Sequence, residues 1–210
     1  MTQLRILLTV AVLCWSVTPA LAVVLETGGF TFSDELGGMR LVSAKGAGTA
    51  ADPIILVEEF IGSGPAVLTI RRLPYRQIPG AVMRQMIPSN LRMEKIVVNR
   101  TGRNWVGFNL ELQEILTKPS TYGDGLSFDQ FSKKSDGIKS DRFDLAERTF
   151  EPSDRLQFFE GSVTPGKSVR FTLPITDASP IKIFYLVQQP HFVFAGGAGR
   201  NWAASDRRNR

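Results

Sequence analysis

The chain predicts an all-β fold: an antiparallel two-sheet β-sandwich, immunoglobulin-like in layout, with one or two short helices in long loops. Three observations lead there. Apolar and polar residues alternate over short runs, glycine- and proline-rich turns separate those runs, and nothing between Val23 and Arg210 carries a long helical period. Many short strands with almost no helix build a sandwich, because each strand has an apolar face that must be covered.

The elements follow in order. Met1 to Arg5 is short and positive, Ile6 to Val17 is apolar apart from Thr9 and Ser16, and Pro19 precedes Ala20-Leu21-Ala22. This reads as a secretory signal peptide over 1–22, cleaved after Ala22. Its apolar run is shorter than the roughly 20 residues of a permanent membrane anchor. The sandwich domain is then expected over 23–194, and a disordered basic tail with only Trp202 as an anchor over 195–210.

Within the domain, alternation or β-branched and aromatic content predicts strands at Met39–Lys45, Ile54–Ile61, Ala66–Leu73, Met93–Asn99, Val106–Leu112, Leu156–Phe159, Val169–Ile175 and Ile181–Gln188. Val106, Phe108, Leu110 and Leu112 share one strand face, and Val169, Phe171, Leu173 and Ile175 share another. With Phe158, Ile183 and Tyr185 they supply the expected core. Pro174 has no N–H to give a ladder, so its strand is expected at a sheet edge or to end nearby. Arg100 to Asn104 reads as a tight hairpin loop pairing Met93–Asn99 with the strand that starts at Trp105. Arg76 to Leu91 reads as a connection containing one helical turn. Lys118 to Thr149 reads as a long polar loop in which Ser127 and Gln130 cap a short helix.

Charge is unevenly spread. The chain has 25 Lys and Arg against 20 Asp and Glu, a net charge of +5. Arg71, Arg72, Arg76, Arg84, Arg92, Lys95, Arg100 and Arg103 face only Glu94 over the same stretch. Such a segment can recognise an anionic glycan or a partner protein, and export argues against nucleic acid. The single cysteine, Cys14, lies in the leader behind Leu13, which does not suit a lipoprotein signal. The exported domain therefore has no disulfide, thiolate metal site or cysteine nucleophile.

The run Ile96-Val97-Val98-Asn99-Arg100-Thr101-Gly102-Arg103-Asn104-Trp105-Val106-Gly107-Phe108-Asn109-Leu110-Glu111-Leu112 resembles a hairpin of exported bacterial β-sandwich domains. These domains recur in uncharacterised proteins that carry a Pro-Glu-Pro C-terminal sorting tag. Tyr122-Gly123-Asp124-Gly125-Leu126-Ser127-Phe128-Asp129 and Phe184-Tyr185-Leu186-Val187-Gln188-Gln189-Pro190 extend the similarity to about half the exported chain. The resemblance implies a sandwich and an export address, and brings no catalytic residues with it. The tag itself is absent: Arg207-Arg208-Asn209-Arg210 follows no hydrophobic segment, so tag-dependent anchoring is not implied.

Chemistry is sparse. His191 is the only histidine and has no Gly-x-Ser-x-Gly elbow, so it reads as a strand-end residue and not as a catalytic base. Glu58-Glu59 and Glu111…Glu114 read as solvated strand faces, although carboxylates from separate strands can serve a hydrolase. Asp124, Asp129, Asp136, Asp141 and Asp144 lie in one polar stretch but lack the spacing of a calcium loop. No cofactor is expected, and calcium is the one ion this set suggests. Trp105, Tyr122 and Phe128, beside Asp124, are the candidate platform for a sugar, with Trp105 half exposed on the face opposite Phe108. Arg71, Arg72 and Arg76 are the candidate anion contacts. The sequence thus predicts a non-enzymatic exported protein, periplasmic or secreted, that packs against an envelope or extracellular component. A glycan-binding module is the first alternative and a carboxylate-based hydrolase the second. No integral membrane segment is expected after cleavage.

Overall fold

The computed structural model describes residues 21–74, 90–129, 137–149, 154–179 and 181–193. Two packed sheets account for most of them. The first has seven strands, in the spatial order β1 (Val24–Thr27), β2 (Phe30–Ser33), β5 (Ala66–Arg72), β13 (Ile183–Phe192), β7 (Trp105–Gln113), β11 (Arg155–Gly161) and β10 (Phe143–Thr149). The second runs β3 (Met39–Lys45), β4 (Ile54–Phe60), β6 (Asn90–Asn99), β12 (Ser168–Asp177) and β8 (Leu126–Phe128), with β9 (Lys139–Ser140) also paired to β12. The predicted all-β sandwich is the fold, with one amendment. β4 and β6 run parallel, so the second sheet is mixed and not wholly antiparallel.

The expected hairpin at Asn99–Trp105 is not one. β6 pairs with β4 and β12 in the second sheet, whereas β7 pairs with β13 and β11 in the first. The connection between them therefore crosses the sandwich, and side chains hold it there. Asn99, fully buried, donates its amide to the carbonyls of Arg103 and Val163, both at 2.8 Å, and accepts from the Thr101 N–H at 3.0 Å and hydroxyl at 2.7 Å. An asparagine closing a local turn this way releases the chain from its ladder. Asn99-Arg100-Thr101 matches the acceptor pattern for an N-linked glycan, and its asparagine is engaged internally.

Trp105 is 0 % exposed, which corrects the half-exposed position expected for it. The cause is a bulge: His191 lies opposite Gly107 and Phe192 opposite Trp105, so Val106 is an extra residue on β7. The bulge turns the Trp105 ring inward against Phe60 (centroids 5.7 Å apart) and Phe108 (5.5 Å), and sends Val106, expected in the core, to the surface. Phe171 continues the aromatic cluster, 5.0 Å from Phe108 and 4.6 Å from Phe158. On β13 the inward residues are Phe184, Leu186 and Gln188, while the expected Ile183 and Tyr185 are only half buried. Both faces of that run are apolar, so its alternation could not fix the phase.

The stretch 118–149 holds three strands where a loop was expected. Ser127 is a residue of β8 and not a helix cap, and the short helical element is a single 3-10 turn at Tyr122–Asp124. Gln130, and residues 76–89 where the turn within Arg76–Leu91 was expected, lie outside the described residues. Pro174 sits where the edge is interrupted. β9 leaves β12 at Thr172, β8 joins it at Ile175, and the Pro174 carbonyl accepts from Asp129 N–H at 3.1 Å. A residue without an amide hydrogen occupies the gap between two short edge strands.

Candidate functional site

Two polar groups are buried in the sandwich and a third set lies on its outer faces, and the sequence reading placed its candidate site at none of them. The first lies between the sheets. Inward residues of β4 are Ile54, Leu56, Glu58 and Phe60, and those of β6 are Leu91, Met93, Lys95, Val97 and Asn99. In this parallel register Lys95 lies opposite Leu56, and Glu58 is its diagonal neighbour on the same face. Lys95 and Glu58 form an ion pair in which both side chains are 0 % exposed. From the other sheet Gln188, also fully buried, directs its amide nitrogen at Glu58 Oε2 (3.3 Å) and Met39 Sδ (3.2 Å). Burial holds the Lys95 ammonium well below its ordinary range, because the charged form gives up its hydration there. The expectation that Glu58 lies on a solvated face is therefore corrected. The signal was legible: a glutamate, a lysine and a glutamine each occupy an inward phase otherwise filled by apolar residues.

The second group ties β8 to the start of β11. Asp154 accepts from the Ser127 hydroxyl at 3.0 Å, its N–H donates to the Ser120 carbonyl and its own carbonyl accepts from Leu112, both at 3.1 Å. Arg148 donates to the carbonyls of Phe128 and Asp129 beside it. Desolvation pushes the Asp154 carboxyl up to about 6, against the opposing pull of Ser127 and Arg148. The sign of the linkage follows. The folded state holds this proton more tightly than the unfolded chain, so Asp154 lowers stability as pH rises from about 4 through 6. With allowance for solvent screening the loss is about 1–2 kcal/mol. Asp154→Asn is expected to flatten that segment of a pH–stability curve measured by urea unfolding; an unchanged slope refutes it.

The third group neutralises the outer carboxylates. Glu59 meets Arg40 and Arg100, and the hydrogen bond from Arg40 is the larger influence holding its carboxyl below the usual range. Glu111 is bound by Arg155 and by the Gln113 amide at 2.7 Å, so it too is buried and not on a solvated face. Glu94 meets Arg170.

The predicted site residues are dispersed by the fold. Phe128, like Trp105, is 0 % exposed, so neither ring is available to stack on a sugar. Tyr122 starts the 3-10 turn, and Asp124 closes it by accepting from the Ser120 hydroxyl (2.8 Å), Thr121 N–H (2.9 Å) and Leu126 N–H (3.0 Å). Arg71 pairs with Glu35, while Arg72 pairs with Asp177 at 3.2 Å and lies over the Phe30 ring. Arg76 lies outside the described residues. The basic segment is thus not one continuous stripe: Lys95 points into the core, and Arg72 and Arg100 are matched by carboxylates from other strands.

A shallow depression lined by Glu114, Ile115, Lys118, Pro119, Thr121 and Asp124 encloses about 70 Å³. It is far smaller than the roughly 300–1,000 Å³ of a ligand pocket. Among the described residues no three His, Cys, Asp or Glu side chains gather as a cation site, and no helix is long and apolar enough to cross a membrane. His191 is half buried near the end of β13, where burial lowers the imidazole below its ordinary range. Comparisons with protein-family models, with curated proteins and with solved structures find no match.

Proposed function

We propose that this chain is an exported β-sandwich protein with a binding or structural role in the periplasm or outside the cell, its partner an envelope or extracellular protein or an anionic glycan. The observation that carries the reading is the position of Val23. Among the described residues the first hydrogen bond runs from the Val23 backbone nitrogen to Asp34 Oδ1 at 2.7 Å, one residue past the Ala20-Leu21-Ala22 cleavage pattern. Asp34 also accepts from Leu41 N–H at 3.0 Å, which fixes its carboxylate in place. Cleavage after Ala22 converts the Val23 amide into an ammonium, and a neutral hydrogen bond into a charge-assisted one. Leu21, on the other side of the cut, is 92 % exposed and adds nothing to the core.

A non-enzymatic role is supported by the state of the carboxylates. Glu58, Glu59, Glu94 and Glu111 each hold a cation, and Asp124 closes a turn. A hydrolase needs two such groups converging on a substrate atom with at least one accessible.

The test is to produce the full chain in a Gram-negative host with its own leader, fractionate the cells and sequence the N-terminus. A product beginning at Val23 in the periplasm or medium is expected. An intact chain retained in the cytosol overturns the reading. Crosslinking and mass spectrometry in envelope fractions then identifies the neighbour.

A further inference from the structure

Lys95, Glu58 and Gln188 have more in common than burial. Lys95 is on β6 and Gln188 on β13, the central strands of the two facing sheets, and both side chains are buried between the sheets. Glu58 touches both, taking Lys95 Nζ on one carboxylate oxygen and the Gln188 amide on the other. The immediate neighbours are apolar: Leu56 lies opposite Lys95, and Ala66 and Leu110 lie opposite Gln188. A lysine ammonium needs three acceptors. Among the described residues Glu58 is the only partner of Lys95 Nζ, and Gln188 Oε1 accepts no hydrogen bond. As a purely structural ion pair this arrangement is poorly satisfied. As a nucleophile, a carboxyl proton carrier and an amide electrophile in one dry compartment, it is complete.

We propose that Lys95 and Gln188 join spontaneously in an intramolecular ε-(γ-glutamyl)lysine amide, with Glu58 carrying the proton. In the reactive form the Lys95 amine is neutral and Glu58 is protonated, as a shared proton in a low-dielectric site favours. Half a turn of the Gln188 amide presents Oε1 to the Glu58 hydroxyl, which polarises the carbonyl. The Lys95 Nζ lone pair attacks Gln188 Cδ and a C–N bond forms. Glu58 takes a proton from Nζ and delivers one to Nε2. The Cδ–Nε2 bond breaks and ammonia leaves. Glu58 ends protonated, as it began, and no oxidant, reductant or further reactant enters. The product is a secondary amide joining the centres of the two sheets in a domain that has no cysteine beyond the leader.

The experiment is accurate intact mass and peptide mapping of the folded, leader-cleaved protein. The expected result is a mass about 17 Da below that of the sequence, the loss of one ammonia in an amide exchange, together with a branched peptide joining the Lys95 and Gln188 segments. K95R keeps the cation without the nucleophilic amine, and E58Q keeps the shape without the carboxyl proton. Both are expected at full sequence mass. A wild-type mass equal to the sequence, a deficit that persists in K95R, or a branch joining Lys95 to Glu58 with loss of water overturns the proposal. The wild-type map decides even if neither variant folds.

Discussion

Measured against the chain in which Lys95 and Glu58 are still an ion pair, Glu58→Leu is expected to destabilise the fold by about 3–5 kcal/mol, the cost of leaving one member of a fully buried charge pair without its partner. Lys95 has no other acceptor among the described residues, so losing Glu58 forces a lone ammonium to shed its proton or pull water into the core. The mechanism is separable from loss of volume, because leucine fills most of the space. The double variant E58L/K95M is expected to be more stable than E58L alone by about 2 kcal/mol or more, since both polar groups are then gone together. Urea unfolding of the two variants measures this. Additive losses in the double variant would show that the two residues act separately.

Trp105→Ala should cost a similar amount, about 3–5 kcal/mol, because it empties the largest buried side chain beside Phe60 and Phe108. Trp105→Phe separates ring from polar handle: it keeps aromatic contact and loses the indole N–H donated to Thr101 at 3.1 Å. A loss of about 1 kcal/mol is expected for it beyond the change in volume. Tryptophan fluorescence followed through the same unfolding curves offers an independent reading. A Trp105→Ala loss under 1 kcal/mol would mean that the ring is not inside.

These residues also mark where the sequence was legible. Eight strands were readable from alternation and turn chemistry, because Val169–Ile175 or Ile54–Phe60 must hide one face whatever the topology. Pairing was not readable. A turn such as Arg100–Asn104 looks the same whether it closes a hairpin or carries the chain between sheets, and the deciding contact, Asn99 to Val163, joins residues far apart in sequence. The phase of β7 was misread for a similar reason: the bulge at Val106 has no local signature, and it exchanged the exposures of Val106 and Trp105. The inward charges were visible and were misjudged, because a glutamate in a strand is usually taken for its solvent face. Short strands such as β8 and β9 lack the length for any pattern to emerge.

The place of β13 in the first sheet governs how the chain can fold. It is the last of the described strands, yet it sits between β5 and β7 and pairs with both. Until it arrives, that sheet is two separate ribbons with β5 and β7 as open edges, and such edges invite pairing with other chains. A nascent polypeptide that has not yet made β13 therefore lacks a closed first sheet to pack against the second. Completion of the first sheet must follow synthesis of β13, and contacts this distant in sequence make that step slow.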